Sequence, residues 1–223
     1  MKTVAIAIDG PAGAGKSSLA KALASRLGYI YVDTGALYRA IGLAFTEKGI
    51  DTDLNCDVEK ELKDITVDIK FIDGVQHVLL NGEDVSEKIR TPKASMMASA
   101  VSAKPEVRAF LLEMQRDFAQ KYNVIMDGRD IGTVVLPNAD VKIFLTASDE
   151  ERAMRRFREL KEKGDSTTFE EVLSDMRQRD YNDSHRAIAP LKPAEDSIIA
   201  DTTGKNVEQS VEMLMNIIKE KNI

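Results

Sequence analysis

Short apolar runs alternate along the chain with longer stretches whose apolar residues recur at helical spacing. Five of these runs end in a polar or glycine-containing turn, namely residues 4–8, 29–32, 124–126, 141–145 and 198–200. Runs of this length and composition are typical of buried strands. Because strands that alternate with helices form parallel sheets covered on both faces, the pattern predicts an α/β fold around a parallel sheet.

One stretch of the chain departs from this pattern. Residues 65–85 alternate apolar and polar positions and are interrupted by Asp73-Gly74 and Asn81-Gly82. Dipeptides of this kind favour two-residue hairpin turns, because their residues tolerate a positive φ. The alternation therefore predicts a small antiparallel three-stranded insert over about residues 64–92.

Two strongly charged segments in the last third of the chain have helical character. Residues 149–164 carry four arginines among acidic neighbours, and residues 169–188 form a second charged helix. The first segment fits either a solvated face whose charges pair with each other or a mobile, arginine-bearing lid. We expect one domain with a core, an insert and a lid. The domain would comprise residues 1–223. Its core would be residues 1–63, 93–150 and 166–223, with the insert at about 64–92 and the lid at about 151–165.

The composition is that of an ordinary globular protein, with 43% hydrophobic and 30% charged residues among 223. A net charge of -6 argues against a nucleic-acid or membrane partner and favours a monomer. A single cysteine, Cys56, cannot form an internal disulfide and fits a reducing cytoplasm. The first apolar run is too short for a signal peptide, and no segment reaches the roughly 18 apolar residues of a membrane span.

A glycine-rich segment lies between the first predicted strand and the first predicted helix. Residues 10–17, Gly-Pro-Ala-Gly-Ala-Gly-Lys-Ser, fill every fixed position of the phosphate-binding pattern G-x-x-x-x-G-K-[ST]. In such a loop, backbone N–H groups surround phosphate oxygens, Lys16 reaches the β and γ phosphates, and Ser17 can ligate Mg²⁺. A plain strand-to-helix turn is the alternative. The flanking strand and helix favour a nucleoside triphosphate site.

Several arginines lie where a parallel sheet places its ligands. Arg39 and Arg129 come soon after predicted strands, and Arg179, Asp183 and Arg186 share one helix face. Ligands of parallel α/β sheets bind beyond the carboxyl ends of the strands. A kinase acting on an anionic acceptor must offset the charge of two substrates, which suits the guanidinium fork. These positions therefore favour an acceptor clamp over incidental salt bridges.

Taken together, the motifs resemble those of the bacterial cytidylate kinases, a nucleoside monophosphate kinase branch of the P-loop kinases. Eight segments carry the resemblance in family order: IDGPAGAGKSS, DTGALYRA, GEDVSEKIRT, VSAKPEVR, MDGRDIGTVV, KIFLTAS, ERAMRRFREL and RDYNDSHRAIAPL. The resemblance implies a P-loop kinase fold and transfer of the γ-phosphoryl group of ATP, bound with Mg²⁺, to CMP or dCMP. The alternatives are a small kinase for UMP or a non-nucleotide acceptor, and a nucleotide-dependent switch protein.

The resemblance also implies roles for residues on the ATP side. Lys16, Arg129 and Arg186 would be catalytic, Ser17 would hold the metal, and residues 201–205 would lie beside the donor adenine. The ATP-binding residues would be Gly10, Pro11, Ala12, Gly13, Ala14, Gly15, Lys16, Ser17 and Ser18, with Arg152 and Arg156 from the lid. Closure of insert and lid would exclude water from the reacting phosphates.

On the acceptor side, the resemblance implies a phosphate clamp, a base-reading set and a sugar-binding pair. The residues are Arg39, Arg129 and Arg186 at the phosphate, Ser99, Arg108 and Asp130 at the base, Arg179 and Asp183 at the sugar, and Thr34 near the nucleotide. Cytosine offers an N4 donor beside the N3 and O2 acceptors, so reading it takes both a carboxylate and a donor. Phosphoryl transfer needs charge stabilisation rather than a covalent nucleophile, which suits a chain without a Ser-His-Asp set.

Overall fold

The computed structural model describes residues 3–50 and 57–222 and divides into two compact units. Unit 1 comprises Met1–Tyr31 and Ala119–Ile223, and unit 2 comprises Val32–Phe118. Cys56, with its predicted loop, lies outside the described residues. The predicted division into core, insert and lid stays a prediction.

The described elements are eight strands, eight α-helices and one π-helical turn. The strands are β1 (Ala5–Asp9), β2 (Ile30–Asp33), β3 (Val67–Ile72), β4 (Val75–Leu80), β5 (Glu83–Asp84), β6 (Val124–Gly128), β7 (Val141–Thr146) and β8 (Ile198–Asp201). The α-helices are α1 (Lys16–Leu27), α2 (Thr34–Glu47), α3 (Val58–Leu62), α4 (Pro92–Ser102), α5 (Pro105–Lys121), α6 (Asp149–Glu162), α7 (Phe169–His185) and α8 (Val207–Glu220). Within the described residues, none of these helices is long and apolar enough to cross a membrane.

The large sheet has five strands in the order β2-β6-β1-β7-β8. Strand β1 pairs in parallel with β6 on one side and β7 on the other, and β7 pairs in parallel with β8. All five predicted apolar runs are strands of this sheet, which confirms the predicted α/β class. Parallel pairing places the carboxyl ends of β1 and β6 side by side, so Asp9 is opposite Gly128 in the register.

The core of unit 1 forms where helices cover this sheet. Residues of β1 such as Ile6 and Ile8 are fully buried and belong to a cluster with Leu23 of α1 and Leu214 of α8. Helix α1 ends at Gly28, whose φ of 69° supplies the left-handed conformation common just after a helix. The packed core therefore fixes the start of α1 against the end of β1.

Helices α6 and α7 form a charged pair with a small apolar seam. Ala153 of α6 packs with Val172 and Met176 of α7. Thr168 begins α7 with a reciprocal capping box to Glu171. Both predicted charged helices are confirmed.

The predicted end of the second charged helix is wrong by three residues. The sequence pattern extends it to 188, whereas α7 ends at His185 and Arg186 is extended, with ψ at 142°. The Arg186 Nε donates to the carbonyl oxygen of Ala189 at 2.7 Å, and Pro190 follows. A proline disfavours helical geometry in the residue before it, so the chain turns here instead.

Unit 2 contains the predicted antiparallel sheet, in the order β3-β4-β5. Its turns fall at the two predicted dipeptides, where Asp73 has a φ of 52° and Gly74 of 76°, and Asn81 of 51° and Gly82 of 84°. Positive φ at both central residues is the requirement of a type I′ hairpin turn. The predicted three-stranded antiparallel sheet is therefore confirmed.

Close helix packing completes unit 2. Helix α2 crosses α4 at Gly42, where an added Cβ would lie 2.8 Å from the Cβ of Met97. Two helices approach this closely only where one of them lacks a side chain, so Gly42 sets the distance between α2 and α4.

Candidate phosphate-binding site

The glycine loop of residues 10–17 connects β1 to α1 in a conformation that requires its glycines. Gly10 has a φ of 149°, and a Cβ there would lie 2.0 Å from the carbonyl oxygen of Leu145. Gly15, with a φ of 87°, directly precedes α1. Since the first N–H groups of a helix lack partners within it, the loop directs donors and the positive end of α1 to one place. This is the geometry of a phosphate cradle.

Lys16 lies folded over this loop. Its Nζ donates to the carbonyl oxygens of Gly10 and Pro11, both at 2.7 Å. Burial lowers the pKa of Lys16 well below its usual range, and the nearby positive charge of Arg129 lowers it further. An incoming polyphosphate would offset both effects, because a nearby opposite charge favours the protonated amine.

Oxygen donors suited to a hard cation lie at the start of α1. The Ser17 hydroxyl donates to Asp127 Oδ2 at 2.9 Å, and the Tyr31 hydroxyl donates to Oδ1 of the same carboxylate at 2.8 Å. Hydroxyl and carboxylate oxygens are the ligands that Mg²⁺ prefers. Ser17 and Asp127 therefore fit a magnesium ion bound with a nucleotide.

The end of β1 is also tied to the segment that follows β6. Asp9 accepts hydrogen bonds from the backbone N–H groups of Ile131 and Gly132, each at 2.7 Å, at the start of the π-helical turn Ile131–Val135. Burial raises the pKa of Asp9 to about 6, and the two backbone donors oppose the rise. This carboxylate fixes the position of the 128–132 segment, which contains Arg129 and Asp130.

The predicted acceptor residues of unit 1 form a buried ionic cluster. Arg129 Nε donates to Asp183 Oδ2 at 2.8 Å, and Arg186 lies 3.4 Å from Asp130 Oδ1. Burial alone would raise the pKa of Asp183, but the positive charges of Arg129, Arg179 and Arg186 hold it below its usual range. The cluster thus holds three arginines around the Asp183 carboxylate, with Asp130 beside one of them, and oriented guanidinium groups of this kind can bind an anion.

The arginines of α6 have different surroundings. All three guanidinium nitrogens of Arg152 donate within the protein, to the carbonyl oxygens of Ala12 and Ala147 and to the carboxylates of Asp149 and Asp180. Arg156 pairs with Glu159 at 3.0 Å and is partly exposed. Their predicted role as ATP ligands stays a prediction.

Arg155 is a residue that the sequence reasoning missed. It donates to the carbonyl oxygen of Thr202 at 3.0 Å and pairs with Glu151 at 2.6 Å, and its guanidinium lies beside Gly15. Helical spacing three residues after Arg152 was the available signal, because it places Arg155 on the neighbouring face. Gly204 donates its N–H to Glu151 at 2.7 Å, which ties the 201–205 segment to α6.

In unit 2, the start of α2 holds two of the predicted residues. Asp33 caps the helix by accepting the N–H of Ala36 at 3.0 Å, and it pairs with Arg39 at 2.7 Å. Thr34 is buried in the first turn. Gln76 of β4, which the sequence reasoning also missed, accepts the N–H of Asp33 at 2.7 Å and so braces this end of the helix.

Ser99 and Arg108 are each hydrogen-bonded to Ser102, at the end of α4. The carbonyl oxygen of Ser99 accepts the Ser102 hydroxyl at 2.9 Å, and the carbonyl oxygen of Ser102 accepts Arg108 NH1 at 3.2 Å. The buried guanidinium of Arg108 also lies 5.5 Å from the centre of the Tyr38 ring. Ser102 therefore links the two predicted residues within unit 2.

A parallel sheet with a lysine-bearing glycine loop, next to a cluster of arginines, is the arrangement of a kinase that uses a nucleoside triphosphate. The fold and the site thus define a P-loop kinase. Solved structures show the same fold. An uncharacterized protein from Eubacterium ventriosum has a TM-score of 0.56 at 15% identity, covering 98% of this chain and 99% of that one. A gluconokinase from Sinorhizobium meliloti has a TM-score of 0.51 at 14% identity, covering 98% and 94%.

Sequence comparison is more specific than the fold. A family model described as "Cytidylate kinase" matches residues 6–220. A cytidylate kinase from Caldicellulosiruptor bescii is 51% identical over 97% of this chain and 96% of its own. One from Carboxydothermus hydrogenoformans is 52% identical, covering 97% and 98%, and one from Ligilactobacillus salivarius is 47% identical, covering 100% and 99%. The chain belongs to the cytidylate kinase family.

Proposed function

We propose that the protein transfers the γ-phosphoryl group of ATP to CMP or dCMP, giving CDP or dCDP and ADP. The observation that carries the proposal is the family match over residues 6–220, which includes the complete phosphate loop. In this reaction an oxygen of the acceptor phosphate forms a bond to the γ phosphorus. The bond from that phosphorus to the β–γ bridging oxygen breaks, and ADP leaves.

On the donor side, the segment 10–18 would surround the ATP phosphates, with backbone N–H groups from residues other than Pro11 and Ala12. Lys16 would leave the loop carbonyls and stabilise the negative charge that develops on the transferred phosphoryl group. Ser17 and Asp127 would hold Mg²⁺. When bound, the ion supplies charge neutralisation at the β and γ phosphates. Arg152 and Arg156 are the further proposed ATP ligands.

At the acceptor phosphate, arginines would supply the opposing charge. Arg129 and Arg186 are held by carboxylates in unit 1, and Arg39 is held by Asp33 in unit 2. Guanidinium groups that are already oriented need little reorganisation when the transition state forms. We therefore assign the phosphate clamp to these three arginines.

The cytosine ring would be read by a carboxylate and by donors. Asp130 would accept from the N4 amine, while Ser99 and Arg108 would donate to N3 and O2. Uracil would present O4 to the carboxylate, a buried mismatch that costs about 1–3 kcal/mol. Arg179 and Asp183 would bind the sugar, with Thr34 near the nucleotide. We also infer a monomer in the cytoplasm, as the net charge of -6 and single cysteine favour.

The test is ADP release in a coupled assay with ATP and Mg²⁺. Parallel reactions contain CMP, dCMP, UMP, AMP, GMP, dTMP or no acceptor, and one series replaces Mg²⁺ with a chelator. We expect rapid turnover with CMP and dCMP, weak turnover with the others, and none without the metal. Turnover with a different acceptor would overturn the base-reading assignment. ADP release that does not depend on any acceptor would favour a switch protein.

A further inference from the structure

The two peptide groups that flank Ala12 of the phosphate loop are held by the members of one ion pair. The N–H of Ala12 donates to Asp180 Oδ1 at 2.9 Å, and the carbonyl oxygen of Ala12 accepts Arg152 NH1 at 2.7 Å. The same Arg152 nitrogen lies 2.5 Å from Asp180 Oδ2. The carboxylate and the guanidinium therefore hold both polar groups of Ala12 while they pair with each other.

The surroundings of this pair are tightly packed. The Arg152 side chain is 5% exposed and that of Asp180 is 19% exposed. Ala12 belongs to the apolar seam with Ala153, Val172 and Met176. A Cβ on Gly13 would lie 2.6 Å from the terminal methyl of Met176. The middle of the loop is thus fitted against both α6 and α7.

We propose that Asp180 is a positioning residue for ATP binding, which acts on the nucleotide through the backbone of Ala12 and together with Arg152. The direction of the loop N–H groups depends on the planes of its peptides. Asp180 fixes the plane of the Pro11–Ala12 peptide, and Arg152 fixes that of the Ala12–Gly13 peptide. The proposal rests on the proposed use of ATP as phosphoryl donor. It gives Arg152 a role in holding the loop, because its guanidinium nitrogens donate to protein groups.

The same helix pair offers a matched control. Arg177 of α7 pairs with Asp149 at 3.2 Å and Glu150 at 2.9 Å, so it also connects α7 to α6. Both pairs are exposed, and Arg177 is connected to the loop only indirectly, through the Asp149 carboxylate that it shares with Arg152. Exposed pairs contribute little to stability. Replacing Arg177 therefore removes an ion pair between α6 and α7 but leaves the hydrogen bonds to Ala12 in place.

The test combines direct binding with steady-state kinetics. Asp180→Ala, Asp180→Asn and Arg177→Ala are compared with the wild type by calorimetric titration of a non-hydrolysable ATP analogue. The Michaelis constants for ATP and CMP are then measured separately. The asparagine can still accept the Ala12 N–H but cannot form the ion pair with Arg152. This variant therefore separates the effect of the hydrogen bond on ATP binding from the effect of the negative charge.

We expect Asp180→Ala to weaken analogue binding and raise the KM for ATP by about tenfold, the scale of one lost buried hydrogen bond. Asp180→Asn should be intermediate, and Arg177→Ala should stay within about twofold. The KM for CMP should change by less than about twofold in all three, since Ala12 belongs to the donor loop.

Unchanged analogue binding in Asp180→Ala would overturn the proposal, as would an equal loss in Arg177→Ala. If Asp180→Ala does not fold, Asp180→Asn decides, because it keeps the size and the acceptor oxygen. If the wild-type protein binds ATP but releases no ADP in response to CMP, the proposed function is contradicted instead. The titration with the ATP analogue would still test the role of Asp180.

Discussion

Arg129 of unit 1 and Arg108 of unit 2 are held by different kinds of partner. In unit 1, Arg129 donates to the buried carboxylate of Asp183 at 2.8 Å. In unit 2, Arg108 donates to the main-chain carbonyl oxygen of Ser102 at 3.2 Å and lies over the Tyr38 ring. The first arrangement holds a charge against an opposite charge. The second orients a guanidinium by shape and by a neutral acceptor.

This difference matches two tasks that a nucleotide kinase must perform. Phosphoryl transfer needs fixed charges, since the enzyme stabilises charge that develops on the phosphates. Choice between bases depends instead on hydrogen-bond donors in fixed positions, because cytosine and uracil differ in donors and acceptors and not in charge. We therefore expect changes in the phosphate loop and at Arg129 of unit 1 to affect all acceptors. Changes at the α4–α5 junction of unit 2 should alter the choice between acceptors.

The largest effect is expected for Lys16→Ala. This variant removes the charge that lies over the phosphate loop, and it should lower kcat by about 10²–10³-fold with every acceptor, the scale for losing one donor to a developing anion. The measurement is ADP release with saturating CMP, dCMP and UMP. Arg26→Ala, an exposed change at the far end of α1, is the control and should match the wild type. A loss of kcat with CMP alone would contradict the expectation that the phosphate loop acts on every acceptor.

The next effect concerns the pH dependence of stability through Asp9. Its pKa in the folded protein, about 6, lies above the ordinary value of 3.8, so the folded state favours the protonated form. The protonated acid thus stabilises the fold at low pH, and this contribution is lost as pH rises from about 4 through about 6. Near neutral pH the ionised carboxylate faces Asp130, which raises its pKa, and Lys16, which lowers it.

Asp9→Asn removes this titration. The amide offers only one oxygen to two N–H donors. The free energy of unfolding of the variant is therefore lowered by the same amount at every pH. Relative to this variant, the wild type should lose up to about 3 kcal/mol of unfolding free energy between pH 4 and pH 7. Urea unfolding at both pH values measures the difference. A difference that stays constant with pH, or one that grows in favour of the wild type, would contradict the assignment.

A smaller effect is expected for Gly42→Ala in unit 2. Alanine favours a helix by about 1 kcal/mol, but its Cβ would lie 2.8 Å from Met97 Cβ and 3.1 Å from the Met97 carbonyl carbon. The cost of moving α2 away from α4 should outweigh the gain in helix propensity and lower the unfolding free energy by about 1–2 kcal/mol. Thermal and urea unfolding measure this change in stability. Unchanged or increased stability would show that the helices can move apart freely.

Local patterns predicted most of the fold. The five parallel strands, the two hairpin dipeptides and the phosphate loop each depend on neighbouring residues, so a short stretch of sequence is enough to indicate them. The end of α7 was less predictable. Charged residues continue to Arg186, and the chain leaves the helix because of Pro190 and a hydrogen bond from Arg186 to Ala189.

Contacts between distant segments were not predictable in the same way. Asp180 reaches Ala12 across 168 positions, and Tyr31 reaches Asp127 across 96. Neither pair has a spacing that a periodic pattern could reveal, because tertiary packing alone brings the residues together. Gln76 is similar, since its partner Asp33 belongs to a different element.

The most direct test of the difference between the units is the ratio of kcat/KM for CMP to that for UMP in Arg108→Met and Lys16→Ala. Methionine keeps the buried apolar stem of Arg108 but removes its donors. We expect this ratio to fall by about tenfold in Arg108→Met, the scale of one lost buried hydrogen bond, and to stay unchanged in Lys16→Ala while both rates fall. An unchanged ratio in Arg108→Met, or a changed ratio in Lys16→Ala, would contradict the account.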